Sequence, residues 1–282
     1  MTGPDDKRAF PLAGAIAIYT IAFITLAWPW LTGSVTIPWD AKSQFFPQLS
    51  FLARSFAEGQ SPFWTPNIYA GWPQIADPQS LIFSPLHVIL ALFDPNPGFR
   101  ASDAVVFAHI FLGGLGVILI FRERGWHVGG ALVAALAFSF GGANASRIQH
   151  VGQVESLCWL PLALLFLMRA LERRSWTDGA AAGLFAGFIM IGRDQVSLLA
   201  LYVLLGFLVW HWCADEGRVA RMRASIVPLL SGAVVGALIV SGPVLLTQWL
   251  ADNSNRPEIG YEFAGRGSLP PVHLLKIGRA HV

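Results

Sequence analysis

The chain has 282 residues, a formal net charge of +2, and 13% charged against 54% hydrophobic residues. Soluble domains carry roughly 25% charged residues, so this composition excludes an ordinary soluble protein and predicts a polytopic membrane protein. The small net charge, with basic residues spread over short segments between apolar runs, argues against binding of nucleic acid. The lipid bilayer is therefore the first expected partner.

The first apolar run extends from residue 10 to residue 31 and follows two basic residues. At about 1.5 Å per residue it can cross a hydrocarbon core of about 30 Å. We expect it to be the first spanning helix, with the N-terminus in the cytoplasm. A cleaved signal peptide is the alternative, although no Ala-x-Ala cleavage site follows the run.

A long polar interruption follows over residues 32–79 and is predicted to be the first outer loop. Within it, apolar residues recur with a helical period at Phe45, Leu49, Leu52 and Phe56. This pattern predicts a short amphipathic helix. The helix is too short and too polar to span, so it is expected either to lie on the membrane surface or to pack under the next part of the loop.

Seven further apolar runs follow, at 80–93, 104–121, 128–140, 154–168, 179–191, 198–212 and 226–250. The run at 80–93 is short and contains a proline, so it either crosses the membrane or is re-entrant or broken, and we favour the second alternative. This arrangement puts all three arginine clusters, at 122–124, 169–174 and 218–223, in the cytoplasm, as the positive-inside rule favours. The predicted fold is all-α, a polytopic membrane protein with about 7–8 transmembrane helices.

We expect residues 1–275 to form a single transmembrane domain that is truncated at its C-terminus. The sequence stops where another apolar stretch should begin. Residues 276–282 are expected to be a non-native tail, and the chain is expected to be an N-terminal fragment.

Several motifs in the predicted outer segments are specific. Trp39-Asp40, Phe63-Trp64-Thr-Pro-Asn67 and the segment 71–80 resemble the opening of the YfhO-like bacterial membrane proteins, which belong to the GT-C glycosyltransferase superfamily. Segments at 138–141, 147–150, 159–161 and 261–271 resemble later landmarks of that family. One landmark departs, because Gly-Arg-Asp-Gln at 192–195 stands where the family shows Gly-His-Pro-Gln. Only Gln195 carries over there.

The resemblance implies a multi-pass enzyme of the bacterial cytoplasmic membrane that works on its outer face. Such an enzyme transfers a sugar with inversion from a polyprenyl-phosphate-linked donor to a lipid, a glycan or a cell-wall polymer. This chemistry needs a carboxylate near the acceptor hydroxyl as general base. Asp40 matches the acidic residue of the superfamily's first outer loop and is the leading candidate; a helix N-cap is the alternative role.

Asp77 is a candidate second acid, and an Asx turn is its structural alternative. If a divalent cation, Mg or Mn, takes part, Asp40 and Asp77 are its expected ligands. Arg147 and His150 lie in the second outer segment, where cations would neutralise the donor phosphate; an arginine that reaches the lipid headgroups is the alternative. The expected substrate-binding residues are Gln44, Trp64, Asn67, Tyr69, Gln79 and Gln195, and an interfacial aromatic belt would explain the rings without a ligand.

Two other functional classes stay open. A lipid or polymer transporter would also be polytopic, but transporters tend to carry ionisable residues at mid-membrane. Here the ionisable residues are expected near helix ends, with Glu155 placed to favour a helix dipole. A noncatalytic assembly factor would share the fold without using the acids, and substitution of Asp40 would distinguish it from an enzyme.

Overall fold

A computed structural model describes residues 11–192, 194–214, 217–254, 259–266 and 268. The described residues are almost entirely helical, with one isolated antiparallel bridge between Thr65 and Trp72. The predicted non-native tail at 276–282 lies outside the described residues. The α-helices are α1 Leu12–Leu31, α2 Phe46–Ala57, α3 Pro85–Phe93, α4 Phe99–Glu123, α5 Val128–Phe140, α6 Gly142–Ala145, α7 Val151–Arg173, α8 Trp176–Ile191, α9 Gln195–Cys213, α10 Arg218–Asp252 and α11 Tyr261–Ala264.

Six helical segments in the described residues are long and apolar enough to cross a membrane: α1, α4, α5 continued by α6, α7, α9 and α10. A seventh helix, α8, is apolar but has 16 residues, or about 24 Å. The predicted all-α, polytopic membrane fold is confirmed. Helix α3 has nine residues, or about 14 Å, which is too short to span.

Several helices begin or end outside the apolar runs of the sequence. Helix α4 begins at Phe99, five residues before the apolar run at 104. Helix α10 begins at Arg218, so the predicted basic loop at 218–223 is helical. Arginine is a good helix former, and a helix continues through such residues after its apolar part has ended.

The core of the bundle is built around α7, whose side chains pack against α4 and α8. Helix α1 joins this core through Tyr19, which is fully buried, stacks on Phe111 and hydrogen-bonds to Ser139 at 2.8 Å. Helices α8 and α10 approach so closely that a methyl group on Gly183 would overlap the backbone of Gly232. Small residues permit this close packing in membrane helices.

The helix ends sort into two groups by contact. We call the end of the bundle that carries residues 32–84 the loop end, and the opposite end the arginine end. At the arginine end Glu123 pairs with Arg169 and Arg173, and Arg124 pairs with Glu172. The ends of α1, α8 and α10 and the starts of α4, α7 and α9 meet at the loop end.

The loop 32–84 packs against the helical bundle. A π-helical turn, Ala41–Phe45, leads into α2, so the expected amphipathic helix has an irregular first part. The apolar face of α2 buries Leu49 and Leu52 in one cluster with Ile82 and Ala91. Of the two expected placements, the structure shows α2 packed under the following part of the loop.

Candidate functional site

A large cavity lies at the loop end, between α2, the following loop, the start of α9 and the end of α10. Its volume is about 2320 Å³. Six of the predicted site residues line it: Gln44, Asn67, Tyr69, Asp77, Gln79 and Gln195. Residues from three separate parts of the chain therefore converge on one cavity. The volume of this cavity is well above about 1,000 Å³, the usual upper limit for small-molecule pockets.

Asp40 lies directly before the π-helical turn and does not cap it with its side chain. Its Oδ2 lies 3.1 Å from Nδ1 of His150, and both side chains are partly exposed. The preceding residue, Trp39, has a left-handed backbone with φ of 58°. Backbone strain and π-helical turns concentrate at functional sites. The carboxylate is thus held by a histidine and not by helix capping.

The start of α4 anchors the segment that leads to Asp40. The Asp103 carboxylate accepts a hydrogen bond from the backbone N–H of Ile37 at 3.1 Å. Arg100 donates through Nε to the carbonyl of Leu31 at 2.7 Å. Neither Asp103 nor Arg100 was predicted from the sequence, although charged residues in the first turns of an apolar helix were the available signal.

Asp77 is buried and already bonded. One carboxylate oxygen accepts from the backbone N–H of Gln79 at 2.9 Å, and the other accepts from Nε1 of Trp72 at 3.1 Å. The first of these bonds forms an Asx turn, the structural alternative considered for this residue. A catalytic role for Asp77 stays a prediction, and both of its oxygens have neutral donors in the structure.

The aromatic residues of the loop separate into two groups. Trp64 is exposed and its ring lies against Gly71, whose φ of 124° suits a glycine. Trp64 is not among the residues that line the cavity, whereas Tyr69 and Trp72 are. The rings of Tyr69 and Trp72 lie 5.6 Å apart. Trp72 rather than Trp64 faces the cavity.

The two predicted phosphate-binding residues have different partners. His150 pairs with Asp40, whereas Arg147 lies 3.5 Å from the side-chain oxygen of Gln153. Gln153 in turn donates to Gln195 at 3.4 Å, next to the residue Asp194 that caps α9. Arg193, in the same turn, lies outside the described residues. Arg147 is therefore connected through Gln153 to Gln195, which lines the cavity. His150 instead contacts Asp40.

A buried polar cluster lies beneath the loop. Ser84 donates to Oε2 of Glu155 at 2.7 Å, and Nδ1 of His87 lies 2.9 Å from Oε1. Nε2 of His109 lies 3.8 Å from Oε2. Glu155 was expected only to favour a helix dipole, but the structure shows it joining α3, α4 and α7.

The expected metal ligands do not form a metal-binding cluster. Asp40 pairs with His150, and Asp77 is bonded by Trp72 and Gln79. Across the part of the chain that the structure describes, no group of three or more histidine, cysteine, aspartate or glutamate residues is arranged to hold a metal ion. The donor set does not fit a divalent cation, so no step below is assigned to one.

A model of the dolichyl-phosphate-mannose-protein mannosyltransferase family matches residues 86–246, which is more than half of the chain. The chain belongs to this family. It is a multi-pass membrane glycosyltransferase of the GT-C type, and its expected partners are the bilayer, a sugar donor and an acceptor. The match includes Arg147, His150 and Gln195 but begins after Asp40 and Asp77. No curated protein and no solved structure matches the chain.

Proposed function

We propose that this protein transfers a sugar from a polyprenyl-phosphate-linked donor to an acceptor at the outer face of the membrane, with Asp40 as general base. The observation that carries this proposal is the 3.1 Å contact between Asp40 and His150. Asp40 follows the strained residue Trp39 and opens the turn that leads into the cavity wall. Ser43 and Gln44, which follow Asp40 on the π-helical turn, line the cavity.

The reaction balances with these residues. The acceptor oxygen attacks the anomeric carbon of the donor sugar, and Asp40 takes the proton of the acceptor hydroxyl. The bond between the anomeric carbon and the phosphate oxygen breaks, and the configuration inverts. Polyprenyl phosphate leaves with the bonding electron pair, and Arg147 is the cation assigned to its negative charge.

A second, smaller cavity supports a lipid-linked donor. It has a volume of about 270 Å³, lies between α8, α9 and α10, and shares Leu198 and Thr247 with the main cavity. Met190, Leu198 and Val244 give it an apolar side, and Asp194, Ser197, Thr247 and Gln248 give it a polar side. An apolar surface next to the main cavity suits part of a polyprenyl chain whose phosphate reacts nearby. The family's name also contains a polyprenyl-type carrier, dolichyl phosphate.

The proposed location is the bacterial cytoplasmic membrane, with the N-terminus in the cytoplasm and the loop end outside. The arginine end carries the three basic clusters, as expected for the cytoplasmic side. The YfhO-like motifs of the loop support a bacterial envelope enzyme. The family's name contains mannose as the sugar and protein as the acceptor. Mannose is therefore a candidate for the transferred sugar, and a protein is an alternative to the lipid, glycan or polymer acceptor.

One observation favours a different class. Glu155, His87 and His109 form an ionisable cluster inside the bundle, and such clusters often mark transport pathways. A lipid or polymer transporter is therefore the second candidate function, and a noncatalytic assembly factor is the third.

The test is substitution of Asp40 in the full-length protein. A general base contributes roughly 10²–10⁴-fold in rate, and asparagine keeps the shape of the side chain while it removes the charge. Asp40→Asn should lose sugar transfer by that factor at unchanged protein level. The measurement is incorporation of labelled sugar into the lipid or polymer fraction, with Asp77→Asn as the comparison.

Near wild-type transfer by Asp40→Asn would remove this residue from the mechanism and transfer the role to Asp77. Full transfer by both variants would remove both acids from the mechanism, and another residue would have to act as the general base.

A further inference from the structure

We propose that the acceptor held in the main cavity is an uncharged glycan several sugar units long. This inference rests on the proposed function, because it assigns the substrate class of the same site. It starts from the cavity wall, whose described residues include five glutamines and two asparagines. These amides come from α2, from the following loop, from the start of α9 and from the end of α10.

An amide-rich wall suits sugar hydroxyls. Each side-chain amide has two donor hydrogens and an acceptor oxygen, and each hydroxyl both donates and accepts. An anionic polymer would instead be matched by arginines and lysines. Arg54 is the one cation among the described residues that line the cavity, and its Nε donates to the carbonyl of Ser50 at 3.3 Å. Asp77 and Asp194, the acids of the wall, accept hydrogen bonds from neutral donors.

Two of the wall amides are buried with an unsatisfied atom. Gln74 is 1% exposed and its Nε2 has no hydrogen-bond partner, and Gln48 is 9% exposed and its Oε1 has none. Buried polar atoms are normally satisfied, and an exception calls for a ligand or a water. Gln74 Nε2 is a donor and Gln48 Oε1 is an acceptor, and a sugar hydroxyl can accept from a group of the first kind or donate to one of the second. This observation is independent of the composition of the wall.

The aromatic residues of the wall add a second kind of sugar contact. Tyr69 is 84% exposed, yet its backbone is held in the left-handed region with φ of 50°, and its ring lies against Trp72. Strained residues persist where the surrounding structure or a function requires them. The two rings offer apolar faces to the C–H side of a sugar, while the amides meet its hydroxyls.

The volume sets the length of the acceptor. Pockets for drug-sized ligands have roughly 300–1,000 Å³, and the cavity has about 2320 Å³. A single sugar would leave most of the wall amides in water. A chain of several units would contact α2 and the end of α10 at the same time.

The experiment measures binding by the purified full-length protein. The probes are neutral linear oligomers of mannose, glucose and N-acetylglucosamine, from monosaccharide to hexasaccharide, and oligohexuronates of the same lengths. Tryptophan fluorescence and saturation-transfer NMR report binding. We expect at least one neutral series to gain tenfold or more in affinity from monosaccharide to hexasaccharide, and the hexuronates to bind more weakly.

The variants locate the binding. Gln74→Leu removes an unsatisfied donor and Asn67→Ala removes an exposed amide, and both should weaken binding of the hexasaccharide. Ser139→Ala, which removes a buried hydrogen bond between α1 and α5, should leave it unchanged. Affinity independent of length in every neutral series, tighter binding of hexuronates, or equal binding by the wall variants would each overturn the inference.

The outcomes of these measurements distinguish this inference from the proposed function. Asp40→Asn should keep the gain in affinity from monosaccharide to hexasaccharide, because Asp40 contacts one reacting hydroxyl and is not among the residues that line the cavity. Length-dependent binding without any sugar transfer would support the glycan site and overturn the transferase. Transfer only to acidic or peptide acceptors would support the transferase and overturn the glycan site.

Discussion

His150 has two possible roles that the contact with Asp40 allows us to distinguish. The sequence assigns it to the donor phosphate, whereas the structure places its Nδ1 3.1 Å from the Asp40 carboxylate. A partly exposed pair of this kind adds only about 0–1 kcal/mol to stability. We therefore expect the contact to orient the proposed base, since a misplacement of about 1 Å can cost roughly 10²-fold in rate.

A double-mutant cycle tests this role. We expect His150→Ala to lower kcat by about 10–100-fold at unchanged protein level. Combined with Asp40→Asn, it should add almost nothing, because residues that act as one unit are not additive. Arg147→Ala, the control at the other cation, should instead lower the transfer rate of the Asp40→Asn protein by a further, independent factor. Steady-state transfer rates for the four proteins of each cycle are the measurement, and a multiplicative loss from His150→Ala would return this residue to the donor phosphate.

Candidate site residues could be proposed from the sequence where chain position marks them, whereas the contacts between them could not. Asp40 stands out because it follows the first spanning helix and opens the one long polar segment. Its contact with His150 was not predictable, because the two residues lie far apart in the chain and pair only after α4 and α5 have folded. The same holds for Glu155 and Ser84, which are 71 residues apart.

Helix α3 is tied to the bundle by a buried carboxyl group. Its first residues carry His87 and follow Ser84, and both contact Glu155 of α7. Removal of the carboxyl group would leave Ser84 and His87 buried without this partner, and each buried polar group left unsatisfied costs about 1–3 kcal/mol. Loss of a single buried hydrogen bond costs about 1 kcal/mol.

We therefore predict a ranking of thermal stability. Glu155→Ala should lower the midpoint of thermal unfolding most, Glu155→Gln should lower it less because the amide still accepts from Ser84, and Ser139→Ala should lower it least. Reaction of a thiol-specific dye with the buried Cys158 reports unfolding in a Cys213→Ser background, since Cys213 is exposed. Equal midpoints for Glu155→Ala and Ser139→Ala would show that the cluster does not hold α3.

At the same scale, element type was easier to predict than element ends. Long apolar runs identify spanning helices because a helix must satisfy its own backbone in lipid. The ends of these helices are set by caps and ion pairs, which a hydropathy profile does not detect. Helix α10 extends back to Arg218, and the N-terminal part of the amphipathic segment is a π-helical turn. Neither feature follows from the spacing of apolar residues.

For the whole molecule, the contact of Asp40 with His150 also decides how the chain is threaded. If α3 crossed the membrane, the next two helices would bring His150 to the face opposite Asp40. The 3.1 Å contact requires both on one face, and α3 must then return to the side from which it entered. The loop end thus collects every polar segment of the candidate site, and the arginine end collects the basic clusters.

The orientation of this bundle is the last prediction. Basic residues near helix ends set orientation, and acidic residues contribute little, so the pairing of Glu123 with Arg169 does not cancel the arginine bias. In a Cys213→Ser background, we expect Asn67→Cys to react with a membrane-impermeant maleimide in intact cells. Thr177→Cys, which is exposed at the arginine end, should react only after permeabilisation. The buried Cys158 should stay unreacted in both samples unless the protein is denatured.

The opposite pattern, with position 177 labelled and position 67 protected in intact cells, would invert the bundle and place the cavity in the cytoplasm. A polyprenyl-linked donor on the outer face would then have no route to Asp40. Labelling of both positions in intact cells would contradict the contacts that join the helix ends, because three crossings, by α4, by α5 with α6, and by α7, separate positions 67 and 177. A hydrophobic helix of 23 residues such as α7, about 35 Å long, has the length to do so.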